Sequence, residues 1–320
     1  MKLTSIFHRW ASERSRTLTL LLPVVIVVVA LGLRLYGIDW DQGHLYHPDE
    51  RAILMRVVDL EFPTAGNLGD LLDAEESPLN PRWFPYGSLP LYLLKSVQSI
   101  AGNWTELDVF DLRLPGRVLS AFADTGTVIA LLVLGTSLYG RRVGLLAAGL
   151  LAVTVLHIQI SHFFTVDSFM VFFTVVSLIF MVRVARGGRL ADSALAGLFV
   201  GLALASKASA AALLLPLVVA HLLPLLSGGE ERLSLRYLSL RGVRRAVPGL
   251  VMDGAIALVV FVLVWLFMGH ARDLVPRVEL LPGQGLVASL VAGGVFLPLA
   301  ATHLLHALSG DGDRGLLRDL

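Results

Sequence analysis

Eight apolar stretches, each close to the length of a membrane crossing, constrain the fold of this chain more than any other feature. A helix needs roughly 20 mostly apolar residues to cross the hydrocarbon core of a bilayer. The stretches lie near 17–36, 117–139, 143–161, 166–185, 191–206, 208–226, 250–269 and 286–306. The sequence therefore predicts an all-α fold, a polytopic transmembrane helical bundle of about eight spans.

The composition excludes several other classes of protein. Only 16% of the residues are charged, whereas charged residues make up about a quarter of an ordinary soluble domain. The net charge of +1 gives no general attraction to polyanions, so no nucleic-acid partner is expected. The absence of cysteine rules out disulfides, thiolate nucleophiles and cysteine metal sites.

The distribution of arginine predicts the topology. Cytoplasmic loops of membrane proteins carry an excess of Lys and Arg, and arginines are concentrated on alternate short loops. These are residues 9–16, 141–142, 183–189, 232–245 and 314–318. We expect a multi-pass protein of the cell (inner or plasma) membrane, in contact with its lipids and with both termini in the cytoplasm. The first stretch is interpreted as a retained signal-anchor because no cleavage site follows it.

The first external loop, about 37–116, holds most of the acidic residues in the first half of the chain. It contains thirteen Asp or Glu but only five Lys or Arg. A loop of this length is usually functional, so chemistry is expected there.

Asp49 and Glu50 are the first candidates for catalysis. Pro48 suits the first position of a helix, and the apolar spacing from Arg51 to Leu60 is helical. Both carboxylates then fall in a first helical turn, where the helix dipole favours their ionised form. Such a group can act as a general base or bind a hard metal ion. The alternative is that acidic residues simply prefer first turns.

A second part of the loop combines aromatic residues with an apolar helical face. The aromatic residues resemble those found at membrane interfaces, and the apolar face predicts a helix lying in the interface. The alternative, a ninth span, would invert the topology of every later loop. The aromatic residues are Trp83, Phe84, Tyr86 and Tyr92, and the face consists of Leu89, Leu93, Leu94, Val97 and Ile100.

Several segments together resemble the GT-C membrane glycosyltransferases, closest to the protein-mannosyltransferase-like (family 39) and aminoarabinose-transferase-like branches. The similarity covers about residues 18–220. It lies in His47-Pro48-Asp49-Glu50, Gly87-Ser88-Leu89-Pro90-Leu91-Tyr92, Arg117-Val118-Leu119-Ser120, Leu138-Tyr139-Gly140-Arg141-Arg142, Ser161-His162-Phe163-Phe164-Thr165-Val166-Asp167 and Gly201-Leu202-Ala203-Leu204-Ala205-Ser206-Lys207.

The resemblance implies a catalytic module over 1–226. Residues 227–320 would add two further spans and a cytoplasmic tail, with weak similarity. Family members commonly have more spans or a C-terminal domain. The chain is therefore expected to be truncated, divergent, or completed by a partner chain.

The resemblance also implies a reaction. A sugar would move with inversion from a polyprenyl-phosphate donor to a hydroxyl of a lipid, glycan or protein acceptor at the extracytoplasmic face. Asp49, with Glu50 beside it, and Asp167 would be catalytic. Lys207 would contact the donor phosphate. Arg117, His162 and Tyr86 are further candidates for substrate binding.

Asp49 and Asp167 are also the candidate ligands for Mg²⁺, Mn²⁺ or Zn²⁺, which prefer carboxylate and imidazole donors. Simpler explanations remain for other residues. Asp167 could merely begin a helix, Lys207 could anchor a span end, and His162 could serve packing. The alternative functions are a transporter or lipid flippase, and a non-catalytic or truncated GT-C-like subunit.

Overall fold

A computed structural model describes residues 21–63, 70, 77–83, 85–102, 107–226, 247–257 and 259, and none of these forms a β-strand. A 3₁₀ helix, Ala208–Leu213, precedes α9. The α-helices are α1 Leu21–Leu35, α2 Pro48–Asp59, α3 Leu89–Ala101, α4 Arg113–Tyr139, α5 Arg141–Ala152, α6 Val155–Ser161, α7 Val166–Ala185, α8 Leu190–Ser206, α9 Leu214–Leu226 and α10 Val247–Ala257.

Within the described residues, two helices are long and apolar enough to cross a membrane. They are α4, with 27 residues, and α7, with 20, and the α5–α6 pair is a third if it is one broken span. The predicted stretch 166–185 coincides with α7. The total of about eight spans stays a prediction, and the stretch at 286–306 lies outside the described residues.

The stretch predicted as one span over 143–161 consists of two helices, α5 and α6, with a break between them. The axes of α5 and α6 differ by 57°. Thr154, between them, has extended backbone. The break frees carbonyl groups at the end of α5, and the guanidinium of Arg34 donates to the oxygens of Leu151 and Ala152. These donors replace the helical N–H groups that the carbonyls have lost.

Helix α2 begins at Pro48, as predicted, and holds Asp49 and Glu50 in its first turn. The ring nitrogen of His47 accepts the backbone N–H of Glu50 and caps the helix. The apolar side of α2 is buried in a core that it shares with α3, α4 and α7. This packing fixes the start of α2 against one end of the bundle.

Helix α3 coincides with the segment predicted to form an interfacial helix. Leu91 and Leu94 are buried, whereas Ile100 is largely exposed. Helix α3 packs against α2, α4 and α8 through its buried side. Its position relative to lipid remains a prediction.

Candidate active site

A buried ion pair network joins the first loop to the start of α4. Arg117 donates from Nε and Nη2 to Glu50 at 2.8 and 2.7 Å, and from Nη1 and Nη2 to Asp41 at 2.9 and 2.6 Å. All three side chains are inaccessible to solvent. The hydrogen bond from Arg117 holds the pKa of the Asp41 carboxyl below its usual value, against the opposing effect of burial.

Glu50 makes a further contact that ties this network to the turn between α6 and α7. Its Oε1 accepts the backbone N–H of Phe164 at 2.9 Å. The structure thus places Glu50, a predicted catalytic residue, and Arg117, a predicted substrate contact, inside the protein and bonded to each other. Their contacts are those of residues that hold the loop in place, because neither side chain reaches a surface where substrate could bind.

Asp49 lies in a different environment from its neighbour. It is partly exposed, and its Oδ2 accepts a hydrogen bond from the hydroxyl of Tyr86 at 3.0 Å. Burial raises the pKa of the Tyr86 hydroxyl, and the nearby carboxylate of Asp49 raises it further. The tyrosine therefore stays protonated and donates to the carboxylate.

Lys207 and Asp167 complete the same group from the other side of Tyr86. The ammonium of Lys207 donates to Oδ1 of Asp167 at 2.7 Å, and both side chains are about a third exposed. The same nitrogen lies 5.5 Å from the centroid of the Tyr86 ring, which is a cation–π contact. Four sequence-predicted residues, Asp49, Asp167, Lys207 and Tyr86, are thus linked by direct contacts.

The backbone beside these residues is packed too closely for a larger side chain at Gly87. Its N–H donates to the carbonyl of Ser206 at 3.0 Å. A Cβ atom added to Gly87 would lie 2.0 Å from the carbonyl oxygen of Ala205. Glycine is therefore required where α3 meets the end of α8, and it fixes Tyr86 next to Lys207.

His162 is not among the contacts of this group. Its Nδ1 faces the carbonyl oxygen of Ile158 at 2.6 Å, and its Nε2 faces that of Tyr36 at 2.8 Å. The ring joins the C-terminal end of α6 to the segment that follows α1. This geometry supports a packing role better than the predicted substrate contact.

A second buried network, which sequence reasoning did not find as a group, surrounds Asp124 in α4. Nε of Arg34 donates to Oδ2 of Asp124 at 2.6 Å, and Nδ1 of His157 lies 2.6 Å from Oδ1. Asp124 of α4 is thus paired with Arg34 of α1. The sequence signal for this network is the presence of a charged or polar residue in each of three apolar stretches, Arg34, Asp124 and His157.

A serine, a histidine and an aspartate meet where α8, α9 and α10 pack. Ser193 Oγ and Asp253 Oδ2 both approach Nε2 of His221, at 3.0 and 3.2 Å, while Nδ1 faces the carbonyl of Leu217. In a nucleophilic triad the carboxylate and the hydroxyl bind opposite ring nitrogens. This group therefore lacks the geometry of a serine nucleophile.

The predicted metal ligands do not form a complete site on their own. In the described part of the chain, no three His, Asp or Glu side chains are grouped so that they could hold a metal ion. Asp167 is also neutralised by Lys207. A cation bound to Asp49 and Asp167 would need further ligands from a substrate.

The Asp49–Tyr86–Lys207–Asp167 group can supply two kinds of chemistry at one place. A partly exposed carboxylate can take a proton from a hydroxyl. An ammonium nearby can stabilise negative charge that develops on a leaving phosphate. Asp167 lies in the first turn of α7, a helix long and apolar enough to cross a membrane.

Comparison with known proteins identifies the family of the chain. No curated protein matches the sequence significantly. The profile of the dolichyl-phosphate-mannose-protein mannosyltransferase family matches residues 90–266, more than half of the chain. The match includes Asp167 and Lys207, whereas Asp49 and Tyr86 precede it. On this match, the chain belongs to the dolichyl-phosphate-mannose-protein mannosyltransferase family of GT-C membrane glycosyltransferases.

Proposed function

We propose that this membrane glycosyltransferase transfers a sugar, with inversion, from a polyprenyl-phosphate donor to an acceptor hydroxyl at the external face. The observation that carries the proposal is the meeting of Asp49 with Lys207 across Tyr86. The three residues come from distant parts of the sequence, and two of them carry opposite charges suited to the two ends of the reaction. The acceptor is a lipid, a glycan or a protein.

In the proposed step, the acceptor oxygen bonds to the anomeric carbon as the bond from that carbon to the phosphate oxygen breaks. The hydroxyl proton passes to Asp49, and polyprenyl phosphate leaves with an additional negative charge. Lys207 stabilises this charge. One carboxylate is enough for a single displacement, which inverts the anomeric centre.

Asp167 would hold Lys207 in place before the donor binds. Their ion pair is partly solvent-exposed, so an incoming phosphate can reach the ammonium without a large desolvation cost. Asp167 would then share the ammonium with the phosphate. This assigns Asp167 a role in orienting the lysine.

The central test is transfer of labelled sugar from polyprenyl-phosphate donors by purified wild-type protein and by Asp49→Asn. We expect the variant to lose at least about 100-fold in turnover, the usual loss on removing a general base. Asp39→Asn is the matched control, because Asp39 is an exposed carboxylate of the same loop paired with Arg113. Equal turnover in Asp49→Asn and wild type would remove Asp49 from catalysis. Absence of transfer by wild type would favour a transporter or a non-catalytic subunit.

Lys207→Ala tests the phosphate contact separately. We expect it to weaken binding of the donor lipid more than binding of the acceptor. Lys95→Ala is the control, because Lys95 donates to Gln98 within α3. Unchanged donor affinity in Lys207→Ala would contradict the assigned contact.

As a second proposal, a divalent cation held by Asp49, Asp167 and the donor phosphate would stabilise the negative charge of the leaving phosphate. Turnover that survives EDTA would support Lys207 as the source of positive charge. Turnover lost with EDTA and restored by Mg²⁺ or Mn²⁺ would support the cation.

A further inference from the structure

We propose that Tyr86 is a positioning residue whose hydroxyl and ring position two different groups, one for each substrate. Its hydroxyl would orient Asp49 toward the acceptor, and its ring would hold Lys207 toward the donor phosphate. The inference rests on the proposed function. Tyr86 was expected from the sequence to bind substrate, but its contacts are with the two reacting groups themselves.

The hydroxyl side of Tyr86 fixes one carboxylate oxygen of Asp49. The hydrogen bond engages Oδ2, which leaves Oδ1 to receive a proton. The terminal torsion of an aspartate is broad and two-fold, so a single firm donor limits how the carboxylate can turn. Small misplacements of a catalytic group cost large factors in rate.

The ring side of Tyr86 acts on Lys207 without neutralising it. Asp167 also holds the ammonium, 2.7 Å away, but a carboxylate cancels its charge. The face of an aromatic ring attracts a cation through its quadrupole and leaves the charge intact. The ring can therefore keep Lys207 in position while the phosphate competes with Asp167.

The backbone gives Tyr86 a fixed position relative to Lys207. Tyr86 precedes Gly87, and Lys207 follows Ser206. The hydrogen bond between Gly87 and Ser206 therefore sets the spacing of the two side chains. The closeness of Gly87 to the Ala205 carbonyl leaves little freedom for sliding. Tyr86 is thus attached to the same rigid contact as the lysine that it faces.

The test compares Tyr86→Phe, which removes only the hydroxyl, with Tyr86→Leu, which also removes the ring. Two quantities are measured on the full chain: turnover with a polyprenyl-phosphate sugar, and binding of labelled polyprenyl phosphate without turnover. We expect Tyr86→Phe to lower kcat about tenfold or more and to bind the lipid within about twofold of wild type. Tyr86→Leu should lose a similar factor in kcat and also bind the lipid about fivefold or more weakly.

Tyr92→Phe is the matched control, because its hydroxyl donates to the carbonyl of Leu79, outside the Asp49–Tyr86–Lys207–Asp167 group. It should leave both quantities near their wild-type values. Unchanged kcat in Tyr86→Phe, or lipid binding as weak in Tyr86→Phe as in Tyr86→Leu, would overturn the proposal. If Tyr86→Leu does not fold, Tyr86→Trp replaces it, and lipid binding within twofold of wild type is then expected because a ring remains.

Failure of the proposed function and failure of the role of Tyr86 give different experimental results. If wild type transfers no sugar but binds polyprenyl phosphate, the proposed function fails. The contrast in lipid binding between Tyr86→Phe and Tyr86→Leu still tests the ring. If wild type transfers sugar and Tyr86→Phe matches it in kcat, the proposed function stands and the inference about Tyr86 fails.

Discussion

Two adjacent carboxylates, Asp49 and Glu50, have opposite environments in this protein. Glu50 is fully buried against Arg117 and the backbone of Phe164, whereas Asp49 is partly exposed and bonded to Tyr86. Consecutive residues on a helix point about 100° apart, so one helical turn places the Glu50 carboxylate in the interior and the Asp49 carboxylate at a partly exposed position.

The Arg117 network should be essential for stability. Arg117→Met leaves Asp41 and Glu50 buried and facing each other without a counter-charge, which typically costs about 3–5 kcal/mol. Arg113→Met is the matched control one turn earlier on α4, because its partner Asp39 is half exposed and such pairs contribute about 0–1 kcal/mol. Unfolding of the detergent-solubilised variants measures both losses. Similar losses of stability in the two variants would show that the buried network stabilises the fold no more than the Arg113–Asp39 pair does.

Gly87 should tolerate no side chain. Gly87→Ala would place a methyl group against the Ala205 carbonyl, so α3 must move and carry Tyr86 away from Asp49 and Lys207. We expect a large fall in both turnover and donor binding. Gly32→Ala is the control, because an added Cβ there meets no atom within 4 Å. A fully active Gly87→Ala would mean that the close contact at Ala205 does not determine the site.

The sequence was informative about the Asp49, Tyr86, Asp167 and Lys207 group because each member lies at the end of an apolar stretch or in the acidic loop. Topology alone brings such positions to one side of a bundle. Topology could not predict that Glu50 is buried while Asp49 is partly exposed. The burial of Glu50 depends on its network with Arg117 and Asp41, which are far from each other in sequence. Ion pairs between residues that are far apart in the sequence produce no recognisable pattern in a short segment.

The break between α5 and α6 is an element-scale feature that hydropathy cannot show. The stretch contains no proline at the break, and Val153 and Thr154 are ordinary residues for an apolar helix. The cause lies in another element, since Arg34 of α1 supplies donors to the freed carbonyls and a partner for Asp124. Hydropathy averaged over the length of one span therefore predicts a straight helix.

Arg34 should hold this break in shape. Arg34→Met removes the donors to Leu151 and Ala152 and leaves Asp124 with His157 alone, so we expect a lower Tm and faster hydrogen exchange across 151–158. The control is Arg186→Met, whose guanidinium binds the carbonyl and hydroxyl of Ser137 at an exposed position. The Tm of Arg186→Met should fall only slightly, because solvent can replace those hydrogen bonds. Unchanged exchange across 151–158 in Arg34→Met would show that the break is maintained without Arg34.

At the scale of the whole molecule, the contacts of Glu50 decide how many times α4 to α7 cross the bundle. Glu50 binds both Arg117, near the start of α4, and Phe164, just before α7. These two points therefore lie at the same end. Helix α4 is about 40 Å long at 1.5 Å per residue, so the chain must return over that length. The bent α5–α6 pair makes this return, which favours a broken span over a re-entrant loop.

This assignment predicts that positions before α4 and after α7 lie on opposite sides of the membrane. Three crossings separate Phe110 from Leu190, whereas a re-entrant α5–α6 pair would leave two and put both positions on one side. The chain has no cysteine, and both side chains are exposed, so single Phe110→Cys and Leu190→Cys variants can be labelled with an impermeant maleimide. We expect Phe110→Cys to react in intact cells and Leu190→Cys to react only after permeabilisation. Labelling of both from the same side would refute the broken span, and the reverse pattern would move the Asp49–Tyr86–Lys207–Asp167 group to the cytoplasmic face.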